Sequence, residues 1–215
     1  MKLNYFFVII FYLNVISCTN EKKDSEDHMI LHSKKSFQFG YPNNEKSIED
    51  SLAYYFGLDP VSFEKGDSLI RFFVYGDDSS VLILNLDKQR KNVQVIRFKG
   101  EINMVDSIIK CSTIENWSIK KSENWWKTLD SLLLDKKIRG LNGEYYTPST
   151  GGYSVCIQQR FKNNYCYAVV YNPETFINTD EPYNNEDLIK KNVGLIMSFL
   201  FKELSIKSKM FENLR

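Results

Sequence analysis

The chain has 215 residues, with 28 basic (Lys and Arg) against 27 acidic (Asp and Glu), a formal charge of +1. That balance leaves no excess of basic residues for a nucleic-acid face or a polybasic membrane patch. Hydrophobic residues make up 43 % of the chain, enough for one packed domain at this length.

The first element is Met1-Lys2 followed by "YFFVIIFYLNVI", Tyr5 to Ile16. This run is too short to cross a bilayer, which takes about 20 apolar residues, but it suits the apolar region of a secretory signal. It ends in "VISC", Val15 to Cys18, with an aliphatic residue, a small residue at Ser17 and a thiol at Cys18; polar "TNEKKDSEDH" follows at once. The arrangement resembles the lipobox of bacterial lipoprotein precursors. The resemblance implies that the Cys18 thiol receives a diacylglyceryl group, that residues 1–17 are cut away, and that the new amino group is acylated. It also implies export and anchoring in the bacterial cell envelope, at the outer membrane or cell surface, with the membrane itself as a partner. Losing residues 1–17 removes Lys2 and no acid, so the mature chain is formally neutral. The polar run after Cys18 has no helical apolar stripe and reads as a tether. The expected organisation is a signal at 1–17, a lipidated cysteine and tether at 18–36, and a single domain at 37–215.

The domain begins with "PNNEKSIEDSLAYYFGLDP", a short helix capped at Asn44 and ended by Gly57, with Ile48, Leu52, Tyr55 and Phe56 on its apolar face. "SLIRFFVYG", "SVLILNL" and "VQVIRFKGE" are rich in β-branched and aromatic residues and are divided by turn signals, so they read as an antiparallel meander. "SIIKCSTIENWSI" is its fourth strand. The unbroken run Val81–Leu84 indicates a strand covered on both faces. "SENWWKTLDSLLLDKKIRG" is a helix capped by Ser122 and stopped by Gly140, with Trp125, Trp126, Leu129, Leu132 and Leu133 at helical spacing. Two adjacent tryptophans suggest a sugar platform, but on an apolar helix face they read as core. "NGEYYTPSTGG" is a loop without the lysine or spacing of a phosphate-binding loop. "YSVCIQQRFKNNYCYAVVYNP" is a hairpin, and "NNEDLIKKNVGLIMSFLFKEL" a final helix capped at Asn184 or Asn185. Its buried stripe is Ile189, Val193, Ile196, Met197, Leu200 and Leu204, and Gly194 marks close packing. The order of elements predicts an α+β fold: an antiparallel sheet of about six strands with three helices packed mainly on one face.

A two-residue turn at Asn163-Asn164 sets Phe161 opposite Cys166, Arg160 opposite Tyr167 and Cys156 opposite Tyr171. Side chains alternate between faces. One side then gathers Val155, Ile157, Phe161, Cys166, Ala168 and Val170 as core. The other gathers Gln158, Arg160, Tyr165, Tyr167, Val169 and Tyr171. Tyr and Arg are favoured at binding hot spots, so Arg160, Tyr165, Tyr167 and Tyr171 are the candidate binding residues, with a scaffold role as the competing reading. Cys156 and Cys166 fall on opposite faces and are not expected to pair.

Catalytic and metal chemistry is poorly served. The only histidines are His28 and His32, in or beside the expected tether, and "HMILH" lacks the glutamate of a zinc protease motif. A Ser-His-Asp or Cys-His nucleophile is excluded unless the tether folds back. Cys111, Cys156 and Cys166 show no Cys-x-x-Cys spacing and read as small core residues. No cofactor, metal or catalytic residue is expected. The reading is a non-enzymatic binding or accessory lipoprotein with an envelope protein or glycan as partner, and no nucleic acid. The alternative is a carboxylate-dependent glycan hydrolase using Glu144, Glu174, Asp180 or Glu181. Mass spectrometry of the N-terminal peptide from protein made in its own host should find Cys18 acylated and residues 1–17 gone; an unmodified Cys18 thiol overturns the anchor.

Overall fold

The computed structural model describes residues 26–31, 35–38, 48–58, 61, 69–76, 80–103, 108–146, 152–178 and 184–206. Cys18, His32, Asn44, Asp180 and Glu181 lie outside them. The fold is α+β. Nine strands form one mixed sheet: β1 (Glu26–Leu31), β2 (Lys35–Gln38), β3 (Leu69–Tyr75), β4 (Ser80–Asp87), β5 (Asn92–Asn103), β6 (Ile108–Lys120), β7 (Gly143–Tyr145), β8 (Ser154–Phe161) and β9 (Asn164–Tyr171). The helices are α1 (Ile48–Tyr55), α2 (Glu123–Asp135) and α3 (Asn185–Glu203), with one 3-10 turn at Pro173–Phe176.

The strands run in the order β1-β6-β5-β4-β3-β8-β9-β7, with β2 also pairing β6. The meander β3 to β6 and the hairpin β8–β9 are the six expected strands, and β3 joins them by pairing β4 on one side and β8 on the other. Three further strands were not legible as such. β7 lies within the segment read as a loop and pairs β9 in parallel, which makes the sheet mixed. β1 and β2 fall in or against the segment read as tether, so pairing begins at Glu26 rather than 37. His28 is therefore part of the sheet, in register with Trp117. Both short strands fit along one edge because β6 is long; the break between their pairings coincides with the register shift at Lys99/Gly100 that leaves Ser112 unmatched.

Both faces of the sheet are covered, and two of the three helices share one face. There α2 and α3 bury Trp125, Trp126, Leu129, Leu133, Val193, Ile196, Met197 and Leu200 against Ile70, Phe72, Leu84, Val95, Ile157 and Ala168. The tryptophans are core, packed edge to face at 4.9 Å. On the opposite face α1 buries Leu52 and Ala53, with Leu58 just beyond it, against Phe73, Ile83, Ile96 and Phe98.

Helix ends follow local chemistry. Ser122 Oγ accepts from the Trp125 amide, and Asn184 Oδ1 accepts from the Asp187 amide. α2 stops at Asp135, earlier than Gly140: Lys137 takes φ +56° and the Ile138 amide reaches back to the Leu133 carbonyl, closing the helix with a left-handed cap. Lys121 Nζ donates to the carbonyl of Glu203 at the end of α3, and Asn192 Nδ2 donates to the carbonyl of Lys136 at the end of α2. Each side chain reaches from beside or within one helix to the end of the other and satisfies a carbonyl that the helix leaves open.

Gly194 is where α3 meets the 3-10 turn. A Cβ there would sit 2.7 Å from the Pro173 carbonyl oxygen and 2.7 Å from an Ile177 side-chain carbon. Backbone on one side cannot give way cheaply. Gly194→Ala should lower the stability measured by urea unfolding by about 1–3 kcal/mol, the usual cost of overpacking, although alanine is the better helix former.

Candidate functional site

The face of the sheet under α1 carries a line of polar side chains. Registers align Ser118, Gln94, Asn85, Arg71, Gln158 and Tyr167 across six strands. Opposed residues point to the same face, so the row crosses the face as a seam. Arg71 has 0 % exposure, and its Nε donates to Asn85 Oδ1 at 2.9 Å. Gln158 is equally buried and its Nε2 donates to Asp50 Oδ1 at 3.0 Å. Toward one end of the sheet the next residues are apolar (Phe73, Ile83 and Ile96) and α1 lies over them. Toward the other lies the β8–β9 turn with Arg160 and Tyr165.

α1 brings a carboxylate into this contact. Glu49 is only 6 % exposed. Tyr75 Oη donates to its Oε1 at 2.8 Å, and Tyr167 Oη donates to its Oε2 at 3.2 Å. Burial, then the charge of Glu49, holds the Tyr75 hydroxyl well above its ordinary range. Burial likewise raises the Tyr167 hydroxyl, followed by the influence of Cys156 and Glu49. The Cys156 thiol is pushed up by burial first and Glu49 second, so it stays protonated and is no nucleophile. These groups donate hydrogen bonds at neutral pH.

The sequence placed the right residues on this face with the wrong partners. The turn is Lys162-Asn163, with φ of +50° and +65°, rather than Asn163-Asn164. Arg160 therefore opposes Tyr165, Gln158 opposes Tyr167, Phe161 opposes Asn164 and Cys156 opposes Val169. This register sets Ile157 against Ala168 and Val155 against Val170, two apolar pairs within the core, where the expected one would have set Val155 against Asn172. The shift is two residues, so no side chain changes face. Cys156 and Cys166 are buried, form no disulfide and lie on opposite faces.

The four candidate binding residues share one face of the sheet but are spread along it and differ in setting. Tyr167 and Tyr171 are half-buried against the α1 core. Tyr165 is 43 % exposed, and Arg160 opposite it is half-buried. Burial and then the Asp50 charge raise the Tyr165 hydroxyl. Tyr146, just past β7, is 63 % exposed and meets Tyr171 edge to face at 5.4 Å. It was missed because its segment read as a loop. Lys190, almost fully buried in α3, holds it there: its Nζ donates to the Tyr146 carbonyl at 3.0 Å and lies 5.2 Å from the Phe176 ring. Buried Glu49 was also missed, since an acid in the first turn of a helix normally reads as a solvated favourable charge.

Of the candidate hydrolytic carboxylates, the two among the described residues sit in separate contacts. Glu144 lies on β7 beside Val169, on the α1 face, and helps raise the Tyr171 hydroxyl after burial. Glu174 is in the 3-10 turn, where its Oε1 accepts from the Tyr153 amide at 3.1 Å. Among the described residues no group of three or more His, Cys, Asp or Glu side chains is placed to hold a metal, and no helix is long and apolar enough to cross a membrane.

No known family profile matches the chain, and no curated protein does. Among solved structures, ToxT from Vibrio cholerae aligns over 89 % of this chain and 63 % of its own, at 12 % identity and a TM-score of 0.22. The chain thus spans less than two thirds of that protein, and so loose a superposition carries no argument about fold or function.

The Glu49 contact has a direct test. Tyr75→Phe removes one donor from a buried carboxylate and should cost about 1–3 kcal/mol. A double-mutant cycle of Glu49→Gln with Tyr167→Phe, followed by thermal melting, should show a coupling of about 0.5–3 kcal/mol.

Proposed function

We propose that the chain is a lipid-anchored protein of the bacterial cell envelope that acts by binding a protein or glycan rather than by catalysis. The lipobox-like Val15–Cys18 supports the anchor. The observation that supports binding is the tyrosine group on one face: Tyr146 and Tyr165 open to solvent, Tyr171 and Tyr167 packed beside them, Arg160 at the rim. Tyrosine offers large rigid area with a polar tip, and arginine a planar fork of donors. In this reading Tyr167 braces the face through Glu49, while Tyr165, Arg160 and Tyr146 make the contact.

A carboxylate-dependent glycan hydrolase is the second reading. It draws on Glu144 and Glu49 bearing on the same Tyr171 and Cys156. Release of reducing sugar from purified envelope glycan, abolished by Glu144→Gln, would decide for it.

Affinity capture from envelope membranes tests the binding reading. Arg160→Ala or Tyr165→Ala should reduce capture of a specific partner about tenfold, the scale of a hot-spot loss of about 1.4 kcal/mol, and leave the melting temperature nearly unchanged. Loss of stability with unaltered capture would make the face scaffold only.

A further inference from the structure

α1 has eight residues, short of the roughly 12–15 at which an isolated helix becomes even marginal in water. Its position therefore depends on what it buries. Leu52 and Ala53 fill the second core, and an apolar residue at position 49 would complete an ordinary docked helix. The chain instead desolvates a carboxylate there, which opposes stability unless the contact does something else. The division of chemistry across the contact is one-sided. The sheet supplies the donors, Tyr75 Oη from β3, Gln158 Nε2 from β8 and Tyr167 Oη from β9, and the helix supplies the acceptors, Glu49 and Asp50. Three adjacent strands thus converge on two consecutive carboxylates, with fully buried Arg71 in the same seam.

We infer that the sheet side of this contact is a carboxylate-binding cradle, and that α1 occupies it as an internal ligand which an acidic helical segment of a protein partner displaces. The inference rests on the reading that this face binds a partner, and it names that partner's chemistry. The displacing segment carries adjacent acids followed by an apolar residue three positions after the first, the order of Glu49, Asp50 and Leu52. Arg160 and Tyr165 at the open rim make first contact, and the segment then exchanges with α1.

The test uses the whole chain and two labelled peptides of residues 48–58, one natural and one with both carboxylates replaced by amides. A chain carrying Glu49→Gln and Asp50→Asn holds its own α1 weakly. It should bind the acidic peptide at least tenfold more tightly than the amide peptide, and at least tenfold more tightly than the unsubstituted chain does. Adding Tyr167→Phe should reverse most of that gain. In the unsubstituted chain, which needs no altered residue to fold, saturating acidic peptide should speed amide exchange within residues 48–55 at least tenfold, and the amide peptide should not. Equal affinity for the two peptides, or unchanged exchange under saturating acidic peptide, overturns the cradle. If capture of an envelope partner depends on Arg160 and Tyr165 while the chain ignores both peptides, the cradle fails and the binding reading stands.

Discussion

Strand β3 is the constraint from which the rest of the architecture follows. It pairs β4 and β8 at once, so the meander and the hairpin become one sheet only through it. A strand at that position is buried on both faces, and six of its seven residues are. Even-numbered Ile70, Phe72 and Val74 face α2 and α3, whose stripes cover them. Odd-numbered Phe73 requires a second cover, and α1 provides it. Arg71 lies on that second face, fully buried from bulk solvent. A buried guanidinium demands hydrogen-bond partners, and the strands to either side place Asn85 and Gln158 directly opposite. The polar seam is the consequence of holding one arginine in the middle of a two-sided sheet.

The seam also sets where α1 lies. Its apolar side chains sit over the Phe73 row, and its first turn lies at the edge of the seam, where Asp50 meets Gln158 and Glu49 meets two tyrosines. The far edge of the sheet is closed by different means. β7 is only three residues long and cannot cover all of β9; past its start, Asn142 Oδ1 accepts from the Tyr167 amide at 3.2 Å. Short edge strands and side-chain plugs of this kind limit edge-to-edge pairing. Because Lys190 fastens the segment after β7 to α3, Tyr146 stands at a fixed place beside Tyr171 instead of on a free loop.

Legibility followed the strength of the local pattern. The meander, the hairpin, Ser122, Asn184 and the stripe of α3 were readable because each rests on period or capping chemistry within a few residues. β7 was not: three residues, two of them glycine and glutamate, carry no strand pattern, and only parallel pairing to a strand that comes later in the chain creates it. β1 begins inside the polar run that reads as a tether and β2 is four residues with one apolar side chain, so neither carries a strand pattern; they become strands because β6 extends far enough to template them. α2 ends before the glycine that signals its stop because Lys137 itself accepts the left-handed conformation, which lets the Ile138 amide close onto the Leu133 carbonyl. Buried Glu49 and Lys190 were invisible because charge is normally evidence of exposure; the hydrogen bonds from Tyr75 to Glu49 and from Lys190 to the Tyr146 carbonyl each span more than twenty residues.

The hairpin shows why an error in register can leave the membership of a sheet face intact. Side chains repeat every two residues along a strand, so a slip of one exchanges core for solvent and a slip of two exchanges only neighbours. The slip here is two. Membership of the tyrosine face survives, but the pairing changes its meaning. Set opposite Tyr167, Arg160 would stand against a ring whose hydroxyl is already committed to Glu49 and whose packing supports α1. Set opposite Tyr165, it stands beside the one tyrosine of β9 that is open to solvent. The three tyrosines of β9 thereby divide. Tyr167 belongs to the contact that holds α1, Tyr171 is braced between that core and Tyr146, and Tyr165, with Arg160 opposite it, is the end of the strand that stays open to solvent outside both contacts.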